Sequence, residues 1–379
     1  MVTKSLIDHI SIIRDPRQSW KIDHSLTDIL LLVVCAVICG AEGWEDISDF
    51  GKDRLDWLKQ YGDFENGIPS DDTIARVMGR LNPKQVQRFF ALWMASCHEK
   101  TDGQVIAIDG KTLRKSYDKG KRKGAIHMVS AFCVENSLVL AQRKTDEKSN
   151  EITAIPELLD MLELKGCLIT IDAMGCQREI AKKIVQNDGD YLLAVKGNQP
   201  RLAHTFDSHF PLHKINEYGE KSSYSTKETS HGREETRLYV VKEIFDDFVD
   251  FSSEWPGLKS VGFSVSFRSE KGVIPNIEDM VIRYFISSAV LTPEKFAQAV
   301  RRHWHIENKL HWSLDVAFRE DDCRIRRESA AENFAAIRHI ALNLLNGEKT
   351  FKAGKKRKQN KAARSDSYLS EVLAAQGLS

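Results

Sequence analysis

Two aspartates stand directly after short apolar runs, in a pattern typical of catalytic carboxylates. Asp109 follows the apolar residues 105 to 108, and Asp172 follows a second run at 167 to 171. Such runs, rich in β-branched residues, predict strands buried on both faces. Because open α/β sheets build their sites at the carboxyl ends of strands, the two side chains are expected to lie together and to bind a metal ion.

A third acidic side chain, Glu307, falls on the apolar stripe of a predicted helix. Thr292 is its expected N-cap, with Pro293 in the first turn. Spacing of three and four residues places Glu307 on the same face as three other side chains: Val300, Trp304 and His311. We therefore expect the Glu307 carboxylate to face inward, where it needs a cation or a hydrogen-bond partner.

Two alternatives to a metal-binding Glu307 remain open. An ion pair with a basic neighbour would also satisfy the carboxylate, and the candidates are Arg301, Arg302 and Lys309. The acidic run at residues 320 to 322 is a rival source of the third metal ligand.

Oxygen ligands without histidine or cysteine suit Mg²⁺ or Mn²⁺ better than Zn²⁺. Two such ions can hold the attacking and leaving oxygens of a phosphodiester displacement. In this chemistry water cleaves one strand, and the free 3′-hydroxyl then attacks a second phosphodiester without a covalent protein intermediate.

Composition predicts a globular, cytosolic protein of two or three domains. The chain has 379 residues, 42% of them apolar, and its seven cysteines show no C-x-x-C spacing, as expected of reduced core residues. The most apolar run, 29 to 40, is too short to span a bilayer and is bracketed by Asp28 and Glu42. It predicts a buried helix.

The net charge of +1 conceals two basic segments. Residues 111 to 123 contain seven Lys or Arg and one Asp, and residues 349 to 364 contain eight Lys or Arg and no acid. Either segment alone is equally compatible with a solvated loop, but two segments flanking a carboxylate site favour a nucleic-acid partner.

The order of predicted elements divides the chain into three parts. Residues 1 to 98 are expected to form a helical module, for either DNA recognition or packing and dimerisation, with Arg76 and Arg80 exposed. Residues 99 to 347 show three strands and then alternating helices and strands. This order predicts a ribonuclease-H-like α/β domain, a mixed sheet with helices on both faces and its first and fourth strands adjacent. Residues 348 to 379 form a basic tail.

A mainly β insertion is predicted at about 200 to 290, before the helix of Glu307. It contains a polar cluster around His231 and Arg233, which is more typical of a turn than of a site.

Five blocks give the chain a family resemblance: residues 108 to 114 (IDGKTLR), 145 to 151 (TDEKSNE), 172 to 177 (DAMGCQ), 195 to 199 (VKGNQ) and 303 to 308 (HWHIEN). They resemble bacterial DDE insertion-sequence transposases, and the whole chain resembles the H-repeat-associated transposases found with Rhs elements. The resemblance implies a ribonuclease-H-like core, Mg²⁺-dependent DNA transposition in the bacterial cytoplasm, and binding to element ends as a homodimer. It makes Asp109, Asp172 and Glu307 the catalytic triad.

One departure affects the expected DNA contacts. Many related transposases have Tyr and Arg before the Glu and Lys seven residues after it, whereas this chain has His303 and Leu314. The nearest basic residues are Arg301, Arg302 and Lys309. Basic side chains beside a metal site position the phosphate backbone, and the further candidates are Lys111, Arg114 and Lys196.

Two functions compete with transposition as interpretations of this sequence. A haloacid-dehalogenase-like phosphatase would need a second acidic residue two places after Asp109, and Lys111 occupies that position. A domesticated or silent transposase that only binds DNA would retain much of the same sequence pattern.

Overall fold

The computed structural model describes residues 6–97, 103–117, 124–145, 151–211, 222–230, 233–270 and 280–375. Three features predicted from sequence lie wholly or partly outside these residues: His231 of the polar cluster, residues 118 to 123 of the first basic segment, and residues 146 to 150 of the second family block.

Nine strands form one mixed sheet. They are β1 (Val105–Leu113), β2 (Ile126–Cys133), β3 (Leu138–Lys144), β4 (Leu168–Ile171), β5 (Asp190–Val195), β6 (Ser223–Ser230), β7 (Arg233–Glu243), β8 (Ser260–Glu270) and β9 (Val281–Ser287). Their spatial order is β3-β2-β1-β4-β5-β9-β8-β7-β6. Strands β1, β4 and β5 are parallel, and the other neighbouring pairs are antiparallel. The expected adjacency of the first and fourth strands is therefore confirmed.

The predicted β-rich insertion extends this sheet. Strand β9 pairs with β5, and the antiparallel strands β8, β7 and β6 continue outward from it. The segment also contains two helices that the sequence pattern did not predict, α9 (Pro200–His209) and α10 (Asp247–Phe251).

The other helices lie before, between and after the strands. They are α1 (Leu6–Ile10), α2 (Leu26–Ile38), α3 (Trp44–Asp53), α4 (Leu55–Leu58), α5 (Asp71–Arg80), α6 (Pro83–Cys97), α7 (Glu151–Leu159), α8 (Arg178–Gln186), α11 (Pro293–His303), α12 (Trp312–Val316), α13 (Ala330–Gly347), α14 (Lys355–Ala362) and α15 (Asp366–Ala374). A π-helical turn, Ile306–His311, separates α11 from α12. Short 3₁₀ turns occur at Ser19–Lys21, Arg114–Ser116 and Glu320–Asp322.

The apolar helix α2 is buried, as predicted. The Ser25 side chain caps it by accepting from the Asp28 backbone N–H. Helix α13 packs against α2, α5, α6 and β3, so it joins the N-terminal helices to the sheet. Arg76 and Arg80 are exposed on α5, as expected. Among the described residues, no helix combines the length and apolar character needed to cross a membrane.

The predicted basic tail contains folded structure, because α14 and α15 pack on the rest of the chain. The buried Lys358 ammonium donates to the Leu345 carbonyl at 2.9 Å and pairs with Glu348 at 3.0 Å. Arg54 donates to the Ala362 carbonyl at 3.2 Å. These contacts connect the C-terminal helices to α13 and to the N-terminal helices.

Replacing Asn343 by Ala should lower the free energy of unfolding by about 2 kcal/mol, because a buried donor and acceptor would be left unpaired. Asn343 accepts from the Val139 N–H at 2.9 Å and donates to the Val139 carbonyl at 2.8 Å, which covers the edge strand β3. Urea denaturation measures the change. The exposed Asn360→Ala on α14 is the control, and an equal loss in both variants would contradict this role.

Candidate metal centre at the sheet edge

The pairing of β1 with β4 determines where the two predicted aspartates lie. Ile108 pairs with Ile171 in parallel register, so Asp109 and Asp172 occupy the same end of neighbouring strands. The Asp172 carboxylate accepts hydrogen bonds from the backbone N–H groups of Met174 at 2.9 Å and Gly175 at 3.3 Å. Asp172 therefore also orders the turn that leaves the strand.

Glu307 lies on the π-helical turn between α11 and α12. The expectation of a single helix with Glu307 on its inward stripe was wrong, since the Glu307 side chain is 52% exposed and Trp304 is 45% exposed. A π turn contains more residues per turn than an α-helix, so the spacing of three and four residues no longer selects one face. Glu307 nevertheless reaches the end of β1.

Asp109, Glu307 and His311 form a compact group, here called the edge cluster. His311 Nδ1 lies 3.5 Å from Glu307 Oε2 and 3.7 Å from Asp109 Oδ2. One ligand atom from each residue lies within 4.8 Å of the other two, and no other such group occurs in the described ranges. The sequence pattern alone assigns no role to His311, although this residue lies four positions after Glu307.

Burial and like charge raise the pKa of Asp109 to about 8. Its side chain is only 14% exposed, and the carboxylates of Glu307 and Glu151 add repulsion. Burial lowers the pKa of His311, which disfavours the imidazolium that would otherwise offset these charges. A bound cation would stabilise the cluster.

Glu151 is a further acidic residue that the sequence analysis did not place at the site. Its Oε1 lies 2.7 Å from His127 Nε2, and His127 Nδ1 lies 2.8 Å from the Thr112 hydroxyl. A Cβ at position 110 would overlap both the Glu151 carboxylate and the His127 ring. Gly110 is therefore required for Glu151 to approach β1 beside Asp109.

Lys111 does not occupy the position expected of a phosphate contact. Its side chain is 10% exposed, and its ammonium pairs with Asp315 at 2.7 Å, Asp321 at 2.9 Å and Glu320 at 3.3 Å. This Lys111 ion cluster also corrects the rival ligand assignment, because residues 320 to 322 neutralise basic side chains and do not join the edge cluster.

The other predicted DNA contacts lie nearer to solvent, and some carry ion pairs. Arg114 pairs with Asp321 at 3.1 Å. Arg301 pairs with Glu228 at 2.8 Å and Arg302 with Glu135 at 2.8 Å. Lys196 and Lys309 are exposed. In the part of the chain that the structure describes, Glu307 forms no ion pair with Arg301, Arg302 or Lys309, the alternative partners expected from the sequence.

His303 lies near both Asp172, at the end of β4, and Glu307, on the π turn. Its Nδ1 lies 3.1 Å from the Thr170 hydroxyl on β4. Burial lowers the pKa of His303, and the nearby carboxylates of Asp172 and Glu307 partly offset this effect. His303 therefore connects the Asp172 side of the site to the Glu307 side.

Comparison with known proteins decides the family. A model described as "Transposase DDE domain" matches residues 100–344, and one described as "DDE_Tnp_1-associated" matches residues 7–94. The chain belongs to the DDE transposase family. The phosphatase alternative is thereby excluded.

Close relatives of this DDE transposase carry the names that the resemblance implied. "H repeat-associated putative transposase YhhI" of Escherichia coli (strain K12) is 59% identical over 379 residues, covering all of both chains. "Inactive transposase YbfQ" of the same strain is 68% identical over 80 residues, which cover 21% of this chain and 95% of that protein. A piggyBac transposase synaptic complex with hairpin DNA is similar over 98% of this chain and 78% of that chain, with 13% identity and a TM-score of 0.41.

Replacing Asp109 by Asn should stabilise the metal-free transposase increasingly as pH rises. The pKa of Asp109 is about 8 in the folded state, above its ordinary value of 3.8. Between these two pH values the folded state keeps a proton on Asp109 that the unfolded state releases. The stability this proton gives the wild type is fully present below about pH 4 and is lost as pH rises towards 8. The difference in free energy of unfolding between Asp109→Asn and the wild type should therefore increase by at least about 1 kcal/mol from about pH 5 to about pH 8.5.

Thermal denaturation in EDTA measures this gap. Asp56→Asn, an exposed change on α4, is the control and should show no such widening. A gap for Asp109→Asn that stays constant or narrows with pH would contradict the burial of an uncompensated carboxylate.

Proposed function

We propose that this protein cleaves DNA at the ends of an insertion sequence and transfers the resulting strands in a metal-dependent reaction. Asp109, Asp172 and Glu307 are its proposed catalytic carboxylates. The observation that carries the proposal is the convergence of Asp109 and Glu307, which come from distant parts of the chain, at the strand end that Asp172 shares.

A ribonuclease-H-like core is part of this proposal. Strands β1 to β5 lie in the order β3-β2-β1-β4-β5, with β2 antiparallel to its neighbours and helices joining the parallel strands. This arrangement supports a fold in which the carboxyl ends of β1 and β4 present the site.

The residues at this edge fit divalent cations. The group contains carboxylate oxygens from Asp109 and Glu307, and its repulsion is not neutralised by a described cation in contact with Asp109. We infer Mg²⁺ or Mn²⁺, with two ions completing the site. When bound, such ions activate the attacking oxygen and stabilise charge on the leaving oxygen.

A basic groove beside Glu307 offers a path for DNA. It has a volume of about 840 Å³, lies over strands β7, β8 and β9, and is walled by α11 and the π turn. Six of its residues can contact nucleic acid: Arg237, Arg268, Arg283, Arg301, Trp304 and Asn308. Arg237 and Arg268 both pair with Glu235. Glu228 pairs with Arg237 and Arg301. Four guanidinium groups against two carboxylates leave positive charge for phosphates.

Helix α14 brings further positive charge towards Glu307. Burial, together with the nearby ammonium groups of Lys358, Lys349 and Lys309, lowers the pKa of Lys355 to about 8. Lys309 lies two residues after Glu307, so this charge lies close to the proposed site. Phosphate groups would relieve the repulsion.

We propose a homodimer on double-stranded DNA, because transposition must join two element ends. The silent, DNA-binding alternative is kept as the second candidate, since one relative of part of the chain is named an inactive transposase.

Glu307→Gln and Asp109→Asn should each reduce strand cleavage by at least about 100-fold while leaving DNA affinity within a small factor. Either change removes a ligand charge without altering the side-chain shape. The assay uses purified protein, Mg²⁺ or Mn²⁺, and a duplex carrying the ends that flank the gene, with EDTA as the blank.

The matched control is Glu294→Gln, an exposed change in the first turn of α11 that should cleave normally. Binding without cleavage by the wild type in either metal would support the silent alternative. Normal cleavage by Glu307→Gln or Asp109→Asn would contradict the assignment of that carboxylate.

Arg283→Ala should weaken binding to element ends and reduce by about one the slope of log affinity against log salt concentration. Arg283 lies over the Trp304 ring, 5.3 Å from its centroid, inside the groove. Fluorescence anisotropy over a salt series measures both quantities. Lys165→Ala is the control, because this exposed residue precedes the amino end of β4, and equal effects in both variants would place the DNA elsewhere.

A further inference from the structure

A small, mainly polar cavity lies beside His311. Its volume is about 10 Å³, and the polar residues around it are Lys111, Ser130, Gln142, His311, Glu320 and His339. Leu113, Met128, Leu314 and Ala335 form the apolar part of its wall. We call this space the amide cavity.

Strand register connects the amide cavity to the edge cluster. Asp109 pairs with Ser130 across β1 and β2, and Ser130 pairs with Gln142 across β2 and β3. Directly paired residues project from the same face of a sheet, so Asp109 and Gln142 lie on one face. His339 of α13 covers that face and also lines the cavity.

Several polar atoms around the cavity have no hydrogen-bond partner among the described residues. They are His311 Nε2, His339 Nδ1 and both amide atoms of the wholly buried Gln142. Buried polar groups are ordinarily paired, and a cavity of this size is about the smallest that holds one water molecule. One water with these partners would satisfy them together.

We propose that His311 binds the metal ion through Nδ1 and that Gln142 and His339 fix the imidazole in the required tautomer, an inference that rests on the proposed metal-dependent function. Nδ1 lies 3.7 Å from Asp109 Oδ2 and 3.5 Å from Glu307 Oε2. The buried Nε2 has no hydrogen-bond partner among the described residues, and His311 lines the amide cavity. Lys111 and Glu320 in the cavity wall pair with each other, so the Gln142 amide oxygen, which has no partner among the described residues, is an acceptor available to a proton on Nε2. The Nδ1 lone pair is then directed towards the carboxylates.

This assignment changes the expected ligand set. The sequence predicted oxygen ligands alone, whereas an imidazole nitrogen shifts preference from Mg²⁺ towards Mn²⁺. Gln142 and His339 are positioning residues, since they act through His311 without touching the substrate.

Pulsed electron paramagnetic resonance on the full-length protein loaded with Mn²⁺ alone tests the proposal. The wild type should show hyperfine coupling to one nitrogen, which changes to the ¹⁵N pattern after labelling with [¹⁵N]histidine. His311→Gln should remove the coupling. If Mn²⁺ binds with no nitrogen coupling, His311 instead donates a hydrogen bond to the carboxylates, and the proposal is overturned.

A second variant separates positioning from folding. Gln142→Leu should weaken Mn²⁺ binding about 10-fold or more, measured by calorimetry, because the imidazole loses its orienting partner. Removing an unpaired buried amide does not require a loss of stability, so thermal denaturation should show a folded protein. The matched control is Gln359→Leu, which removes another wholly buried amide without a described partner, on α14, and should bind Mn²⁺ normally.

These measurements use no DNA, so they distinguish the two levels of inference. Nitrogen-free Mn²⁺ binding, or unchanged affinity in Gln142→Leu, overturns the role of the histidine or of the amide while leaving DNA cleavage intact. If the wild type binds neither Mn²⁺ nor Mg²⁺, and a repeat of the calorimetry with DNA added also shows no binding, both this inference and the proposed function are overturned.

Discussion

The Lys111 ion cluster is the interaction on which the geometry of the site depends. Lys111 lies two residues after Asp109 on β1, and its three carboxylate partners come from α12 and the following 3₁₀ turn. The pairs therefore hold the segment after Glu307 and His311 against the strand that carries Asp109. Removing one member of a buried ion pair costs about 3 to 5 kcal/mol, so this connection is strongly constrained. The proposed phosphate contacts therefore lie among more exposed basic residues.

The strands and helices that carry the site were predictable because the sequence patterns that indicate them are local. Apolar runs located β1 and β4, and the order of elements predicted their adjacency, which depends on connection rules that few sequences break. Capping residues located α2 and α11 to within a few positions. The nine-stranded extent of the sheet was not predicted, because pairing between β5 and β9 depends on contacts distant in sequence. Helix α14 was not predicted because it is mostly basic, and its buried Lys358 supplies a contact ordinarily made by an apolar residue.

The carboxylates of the candidate site were predictable from the sequence, but the structure around them was not. Asp109 and Asp172 followed from strand ends, while the exposure of Glu307 depended on a π turn that has no simple sequence signature. Energetically, a π turn is poorer than an α-helical turn and often occurs at functional sites. On this turn Glu307 and His311, four residues apart, both lie beside Asp109. The predicted inward-facing stripe of Val300, Trp304, Glu307 and His311 assumed a regular helix, in which residues are buried or exposed at fixed intervals.

The electrostatics of the edge cluster bear on whether the protein is active or silent. Asp109 is buried near Glu307 and Glu151, and burial with repulsion raises its pKa to about 8. Such a carboxylate destabilises the metal-free fold at neutral pH, so neutral substitutions would be favoured if stability alone were selected. Gly110 imposes a second constraint, because its missing side chain permits the approach of Glu151 that adds to the repulsion. A chain that keeps these destabilising features together retains an arrangement that a bound cation would stabilise, and this favours the active transposase over a protein that only binds DNA.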